Sequence, residues 1–375
     1  MIKIIKKMGV LLIALLLLIV LSGFLFVNLS PQFGGTASEK QKAIYIKSDN
    51  YKEGKFINQE PVTMDMSLSD MGKSLVGYFS PIPNTVPKND IEVEKIDSIN
   101  IQNYQDKTRL VWFGHSTFLL QMDGKKILID PMFGDVAAPH AWLGTNRFSK
   151  ELPIEIDKLP AIDAVLISHD HYDHLDYSSI RKLKQKVTFF YVPLGVGAHL
   201  MEWGVSKEKI IELDWWGQAQ FNNLTFSCTP AQHFSGRGLT DRFNTLWCSW
   251  VIQSGSENIF FSGDSGYGPH FKVIGDKYGP FDFAMMECGQ YNELWSDIHM
   301  FPEETAQAAI DVRAKTVMPI HWGAFKLSLH SWTDPVERVS SSAKELNVNL
   351  VIPKIGEDIL ISNKSNFDST WWKQQ

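Results

Sequence analysis

Cysteine, surplus charge and repetition are all scarce in this chain. Its three cysteines (Cys228, Cys248 and Cys288) are too few for a disulfide framework, and none forms a CxxC pair, which excludes a zinc ribbon. Free, mostly buried thiols are the expectation instead. The 36 Lys and Arg against 42 Asp and Glu leave a net charge of −6. That balance excludes the basic face nucleic-acid binders carry, and beyond the first few residues no cluster of Lys and Arg suggests a polybasic lipid patch. No internal repeat or low-complexity tract is present. What remains is ordinary globular composition, 44% hydrophobic and 21% charged, with material for a sizeable core.

The exception lies at the start. Lys3, Lys6 and Lys7 precede an apolar run from Met8 to Val27. A helix needs roughly 20 apolar residues to cross the hydrocarbon core, and this run suffices. A cleaved signal peptide has a shorter apolar region, typically about 7–15 residues, followed by small residues at the cut. Here the run is longer and continues into Asn28-Leu29-Ser30-Pro31. An uncleaved anchor is therefore expected over 1–28. Its lysines would stay in the cytoplasm and place everything after Ser30 outside it, on a single-pass cell-membrane protein.

Residues 29–109 are polar and weakly periodic, with prolines at 31, 61, 81, 83 and 87. The segment 79–87 can be neither a regular helix nor a central strand. A linker followed by an extended arm on the following domain is expected. From Leu110 the texture changes. Phe118–Met122 and Lys126–Ile129 flank Asp123-Gly124, a hairpin signal because both residues tolerate positive φ. Strands are then expected at 164–167, 188–192, 210–213, 224–229, 247–253, 258–262, 283–286, 316–319, 349–352 and 359–361. Helices are expected at 177–184, 303–312 and 335–346, the last with Asp334 as N-cap. Hairpins mixed with helical crossovers fit two sheets packed face to face beneath outer helices, an α/β arrangement that the pattern shares with other layouts. The domain is expected to span 110–362, with a tail at 363–375.

The strongest chemical signal is His169-Asp170-His171-Tyr172-Asp173-His174, directly after the strand at 164–167. A turn leaving a strand end can gather several side chains around one point. Imidazole suits zinc and similar borderline ions, and a carboxylate adds a charge-neutralising ligand. One loop does not complete a site. Three further candidates each follow an expected strand beside a glycine or proline: His233, Asp264 and His321. A lone histidine is more often structural, but the repeated placement at strand ends favours a shared site. Two divalent ions about 3.5–4 Å apart can share a hydroxide, whose parent water acidifies from about 15.7 toward about 7.

The arrangement HxHxDH…H…D…H resembles the metallo-β-lactamase superfamily. That resemblance implies an αββα four-layer sandwich. It also implies one metal held by His169, His171 and His233, a second held by Asp173, His174 and His321, and Asp264 bridging the two. Zinc is expected, two ions per chain, though histidine and carboxylate also admit iron or manganese. Val111-Trp-Phe-Gly-His-Ser-Thr-Phe118, Leu128-Ile-Asp-Pro-Met-Phe133, Leu246-Trp-Cys-Ser-Trp250 and Ile320-His-Trp-Gly-Ala-Phe325 narrow the branch. Together with the metal loop they resemble the N-acyl-phosphatidylethanolamine-hydrolysing phospholipase D family over about 110–361. The resemblance implies a metal-bridging hydroxide that cleaves a membrane phospholipid to an N-acylethanolamine and phosphatidic acid. Asp173, Asp264 and His299 would take catalytic parts, and Tyr172 and His299 would hold the substrate. A lactonase or small-substrate phosphodiesterase of the same superfamily is the alternative. Asp130 is expected to orient a ligand, and His115 to be structural or to support one. His140, His199, His270 and His330 are given no role. The pairs Trp215-Trp216 and Trp371-Trp372 could enter a lipid headgroup zone or pack internally.

Overall fold

The computed structural model describes residues 2–62, 72, 76, 82–362 and 370–375. The start of the proline-rich stretch, at 79–81, and most of the expected tail, at 363–369, lie outside the described residues. The arm carries a hairpin of β1 (Tyr51–Lys52) and β2 (Lys55–Phe56). The first large sheet uses β3 (Arg109–Trp112), β4 (Phe118–Met122), β5 (Lys125–Ile129), β6 (Ile162–Leu166), β7 (Val187–Pro193), β8 (Ile210–Leu213) and β15 (Asp358–Leu360). Its order is β15–β3–β4–β5–β6–β7–β8. The second uses β9 (Gln218–Phe221), β10 (Leu224–Thr229), β11 (Ser249–Gln253), β12 (Asn258–Phe261), β13 (Phe283–Glu287) and β14 (Val317–Ile320). These run β14–β13–β12–β11–β10–β9. Asp123 and Gly124 take φ of 49° and 69° at the β4–β5 turn, the left-handed geometry such a two-residue hairpin requires.

Strand alternation sorts the core into layers. Phe118 and Leu120 of β4 join Phe226, Trp250, Ile252, Phe261 and Met318 of the other sheet in one buried cluster between the sheets. The intervening Leu119 points to the opposite face, where it packs with Val165, Ile180, Leu183 and Leu200. Ile180 and Leu183 lie on the helix Tyr177–Leu183, and Leu200 on the helix Gly197–Glu202. On the far side, Val251, Phe260 and Ala284 meet Phe271, Ile274, Ala308 and Ala309 from the helices His270–Tyr278 and Pro302–Asp311. The result is helix, sheet, sheet, helix, the αββα sandwich of the metallo-β-lactamase fold. The strands β3, β4, β13 and β14 are buried along their whole length, so they read as largely apolar runs rather than strict alternation.

Several expectations change. Asp334 is the first residue of the helix Asp334–Glu345, and Thr333 holds the cap position. The Asp334 carboxylate is engaged instead by Tyr291 and Arg338. No strand forms at 349–352; Leu350 makes a single bridge to Val317 before the chain leaves the sheet edge. The arm is not extended throughout, because it includes the short helices Glu39–Tyr45 and Ser98–Asn103. The three cysteines are buried and form no disulfide.

For the tryptophan pairs, the structure decides between the two alternatives in favour of internal packing. Trp215, Trp371 and Trp372 are all buried, so they cannot enter a headgroup zone. Trp371 and Trp372 pack on Trp322, with ring centroids 5.8 and 6.0 Å away, and Trp322 lies 5.7 Å from Trp112. This aromatic block sits directly behind His321. The exposed tryptophan is Trp142, 72% accessible. The helix Ile2–Leu29 contains one stretch, Lys3–Leu29, long and apolar enough to cross a membrane, and none of it is buried in the protein.

These burials predict opposite outcomes for two tryptophans. Trp372→Ala should destabilise the domain by about 3–5 kcal/mol, the usual cost of emptying a buried Trp site. Trp142→Ala should stay within about 0.5 kcal/mol of the parent. Chemical denaturation midpoints of the detergent-solubilised chain test both, and equal midpoints would contradict the packing described.

Candidate metal centre

The ends of β5, β6, β10, β12 and β14 point toward one spot, and the loops that follow deliver the polar side chains. His169 to His174 follow β6, His233 follows β10, Asp264 follows β12, and His321 follows β14 directly. Tight backbone geometry places them. His115, Asp130 and His321 take positive φ of 56°, 41° and 66°, a conformation that costs side-chain-bearing residues and clusters at functional sites. His115 and His321 secure each other. The His321 N–H donates to the His115 carbonyl at 3.2 Å, and the His115 N–H donates to the Trp322 carbonyl at 3.2 Å. Gly263 must lack a side chain, because at its φ of +58° a Cβ would lie 2.6 Å from the Cys248 carbonyl.

Two overlapping groups of donors result. In one, His169, His171, His233 and Asp264 offer atoms within 4.8 Å of one another. In the other, His115, Asp173, His174 and His321 do the same, and Asp264, His299 and His321 form a third group. Asp264 Oδ2 lies 3.7 Å from His169 Nε2, 3.8 Å from His233 Nε2 and 3.2 Å from His174 Nε2. Asp264 Oδ1 lies 3.1 Å from His321 Nδ1. One carboxylate thus faces both sets.

The hydrogen bonds settle which ring nitrogens face inward. His233 Nδ1 lies 3.0 Å from the Ile298 carbonyl, which can only accept, so its Nε2 carries the inward lone pair. Ser168 Oγ donates to Asp130 Oδ2 at 2.6 Å and therefore accepts from His169 Nδ1 at 2.9 Å. His174 Nδ1 lies 2.7 Å from Asp130 Oδ2, freeing its Nε2. Asp130 also accepts the Ser168 N–H at 2.7 Å. It orients a candidate ligand as carboxylates behind metal-binding histidines do.

These residues fit divalent cations. His171 Nδ1 stands 2.9 Å from His169 Nε2 and 3.1 Å from His233 Nε2. Nitrogens bound about 2.0–2.1 Å from a tetrahedral ion would be about 3.3 Å apart. A single proton cannot bridge three such nitrogens, whereas a cation satisfies all of them. His174 Nε2 and Asp264 Oδ1 are buried without a hydrogen-bond partner, a costly state unless something else meets them. Burial holds His169, His171, His233 and His321 below the usual imidazole range. That shift favours the neutral form, the one that binds metals. Burial acts the same way on His174, yet the charges of Asp264, Asp173 and Asp130 outweigh it and hold that imidazole well above its ordinary value. A pocket of that potential attracts cations.

The remaining candidates lie as follows. His115 Nε2 lies 2.8 Å from Asp173 Oδ2, so it supports one of the donors. His299 lines the pocket, with its Nδ1 3.1 Å from Glu287 Oε1. Tyr172 is absent from the pocket wall, and its hydroxyl donates to the Arg237 carbonyl at 2.6 Å. Asp170 faces away from the donors. Although burial pushes Asp170 upward, His199, His171 and the Gly236 N–H hold its carboxyl well below the carboxylate range. Its oxygens accept from Gly236 N–H at 2.8 Å and Thr245 Oγ1 at 2.9 Å, tying the metal loop to the segment 236–245. His199, given no role from sequence, is the imidazole 3.2 Å from Asp170.

The donors floor a cavity of about 260 Å³ walled by Phe234, Leu294, Trp295, Ile298 and Leu327, with Gln290 and Arg242 at its side. Sequence reasoning passed over Arg242, Gln290 and Glu287. Arg242 is exposed and sits in a loop with no periodic signal. Glu287 ends an apolar strand where nothing distinguishes its carboxylate from a solvated one.

The family described as the Beta-lactamase superfamily domain matches residues 125–322. An uncharacterized protein of Mycobacterium tuberculosis is 39% identical over 92% of this chain and 92% of its own length. The N-acyl-phosphatidylethanolamine-hydrolyzing phospholipase D 1 of Caenorhabditis elegans is 32% identical over 62% of this chain and 69% of its own. Among solved structures, the isothiocyanate hydrolase from Delia radicum gut bacteria superposes with a TM-score of 0.53 at 23% identity. The match covers 67% of this chain and 98% of that one, a likeness of fold.

The hydrogen bonding of Asp130 carries its own test. Asp130→Ala should leave the chain folded but weaken divalent-ion binding about 10–100-fold, measured by chelator competition. Unchanged affinity would mean that His174 needs no orienting partner.

Proposed function

This chain belongs to the Beta-lactamase superfamily domain family, a family of metal-dependent hydrolases, and on that premise we propose a phospholipase D-type phosphodiesterase. Its substrate is N-acyl-phosphatidylethanolamine, and its products are an N-acylethanolamine and phosphatidic acid. The observation that carries the reading is Asp264 set between two groups of imidazoles at the floor of an apolar-walled pocket with an arginine at its side. A relative with that named activity is 32% identical over 62% of this chain.

In this reading His169, His171 and His233 would hold one ion and Asp173, His174 and His321 the second, with Asp264 available to both. The histidine-rich donor set favours zinc, two per chain, over iron or manganese. Bound ions supply Lewis acidity toward water and toward a phosphoryl oxygen. The chain's own residues do the rest. Arg242, held over the Phe234 ring at 4.8 Å, pairs with the phosphate, whose two oxygens suit a guanidinium fork. Burial keeps His299 below the usual imidazole range and pushes the Glu287 carboxyl, 3.1 Å from its Nδ1, well up. With the Glu287 carboxyl donating to Nδ1, the His299 Nε2–H hydrogen-bonds the phosphate or gives its proton to the departing oxygen while Nδ1 takes the Glu287 proton. Tyr172 reaches substrate only by exchanging its bond to the Arg237 carbonyl. Leu294, Trp295, Ile298 and Leu327 exclude water and accept the apolar part next to the headgroup. The cavity is too small to enclose a diacyl lipid, so the acyl chains remain outside it.

The segment 1–28 anchors the enzyme in the membrane, the segment 29–109 links it to the catalytic domain 110–362, and that domain lies outside the cytoplasm. A tether concentrates the site at the bilayer where a lipid substrate resides.

The test is turnover of vesicles containing N-acyl-phosphatidylethanolamine against an acyl-homoserine lactone. Release of phosphatidic acid is expected. Lactone opening without it would replace this reading with the lactonase one. His171→Ala and Asp264→Asn should abolish turnover in a folded protein, and near-parental rates would refute the ligand assignment. Arg242→Ala should raise KM with kcat little changed, as expected for uniform binding of the phosphate. His299→Ala should lower kcat while bound metal stays constant. Loss of metal would instead make His299 a ligand.

A further inference from the structure

The end of the apolar helix does not hang free of the catalytic domain; it is fastened to it. The Pro31 carbonyl accepts from Trp203 Nε1 at 2.7 Å. The Gln32 carbonyl accepts from Arg237 Nε and a terminal guanidinium nitrogen at 3.0 and 2.7 Å. Arg237 also donates to the carbonyls of Asp170 and Leu175, at either end of the metal loop. The helix exit, the segment 236–241 and the metal loop therefore share one buried guanidinium. The chain just past the helix is thereby fastened beside the site.

Around this exit the surface is apolar without being covered. Phe26, in the last turn of the helix, packs its ring 4.9 Å from His140 and 5.9 Å from Trp142. Trp142 is 72% exposed and its neighbour Leu143 46%. Leu239, 88% exposed, lines the cleft that also holds Val27 and Asn28. The segment carrying Leu239 continues to Arg242 at the mouth of the metal pocket.

Helix length sets the depth. Lys3–Leu29 has 27 residues and at about 1.5 Å per residue measures about 40 Å, against a hydrocarbon core of about 30 Å. With Lys3, Lys6 and Lys7 in one interface, the helix reaches the opposite boundary near Phe26 and Val27. Residues in contact with that turn stand at the headgroup level, where tryptophan is favoured.

We propose that Trp142, Leu143 and Leu239 form a membrane-docking face. They enter the interfacial layer of the same bilayer that the N-terminal helix spans and hold the mouth of the metal pocket against the lipid surface. The proposal rests on the anchor described above and names its occupant as the lipid interface, continuous with the span.

The full chain is reconstituted in phosphatidylcholine vesicles with Leu239→Cys labelled by an environment-sensitive dye. The three native cysteines are buried, so the label goes to position 239. Quenching by shallow doxyl-labelled lipid and protection from aqueous iodide are expected. Iodide quenching equal to that of free dye, with none from doxyl lipid, would overturn the docking face. Protein that fails to float with the vesicles would remove the anchor and the proposal together. In parallel, Trp142→Asp combined with Leu239→Asp should cut turnover of vesicle-borne N-acyl-phosphatidylethanolamine about tenfold, since interfacial binding scales with buried apolar area. Hydrolysis of a water-soluble aryl phosphodiester and metal content should not change. An equal fall on both substrates would also count against docking. If the labelled Leu239→Cys chain is protected from iodide while the parent chain releases no phosphatidic acid, the substrate reading fails and the docking face stands.

Discussion

Carboxylate charge buried at the junction of the two sheets is the constraint on which the rest of the structure depends. Asp130, Asp173 and Asp264 are all buried, and around them stand His115, His169, His174, His233 and His321, each buried as well. Such a concentration of ionisable groups in an apolar interior is unfavourable unless every oxygen and nitrogen finds a partner or an ion. Asp130 finds protein partners, through Ser168 and His174. Asp264 Oδ1 and His174 Nε2 find none, and both face the shared centre. The division is chemically informative. Asp130 is satisfied within the protein, while Asp264 keeps an oxygen with no hydrogen-bond partner.

Holding these groups in place takes rigid surroundings. The aromatic block of Trp112, Trp322, Trp371 and Trp372 backs His321, and its burial sits in the layer between the sheets. Three residues at the centre keep left-handed backbone conformations that only dense packing sustains. Strand ends from both sheets supply the donors, so neither sheet alone could form the site. This explains why the donors are scattered along the chain from His169 to His321.

Much of this was legible in the sequence, for identifiable reasons. The Asp-Gly hairpin, the apolar strands and the metal loop are local signals, written in adjacent residues. Asp130 was readable because it closes a strand ahead of the loop. Other features required the fold. Trp371 and Trp372 look like a greasy tail until the chain brings them onto Trp322. The partnership of His199 with Asp170 joins residues with no shared local pattern. Arg237 had no local signal at all, since its role lies in joining the Gln32, Asp170 and Leu175 carbonyls across distant segments. Asp334 met every local rule for an N-cap, but Tyr291 and Arg338 compete for its carboxylate.

Anomalous X-ray scattering at the zinc edge from metal-loaded crystals tests the central claim most directly. The account predicts two peaks, one among His169, His171 and His233 and the other among Asp173, His174 and His321, with Asp264 in contact with both. A single peak, or ions away from Asp264, would contradict it.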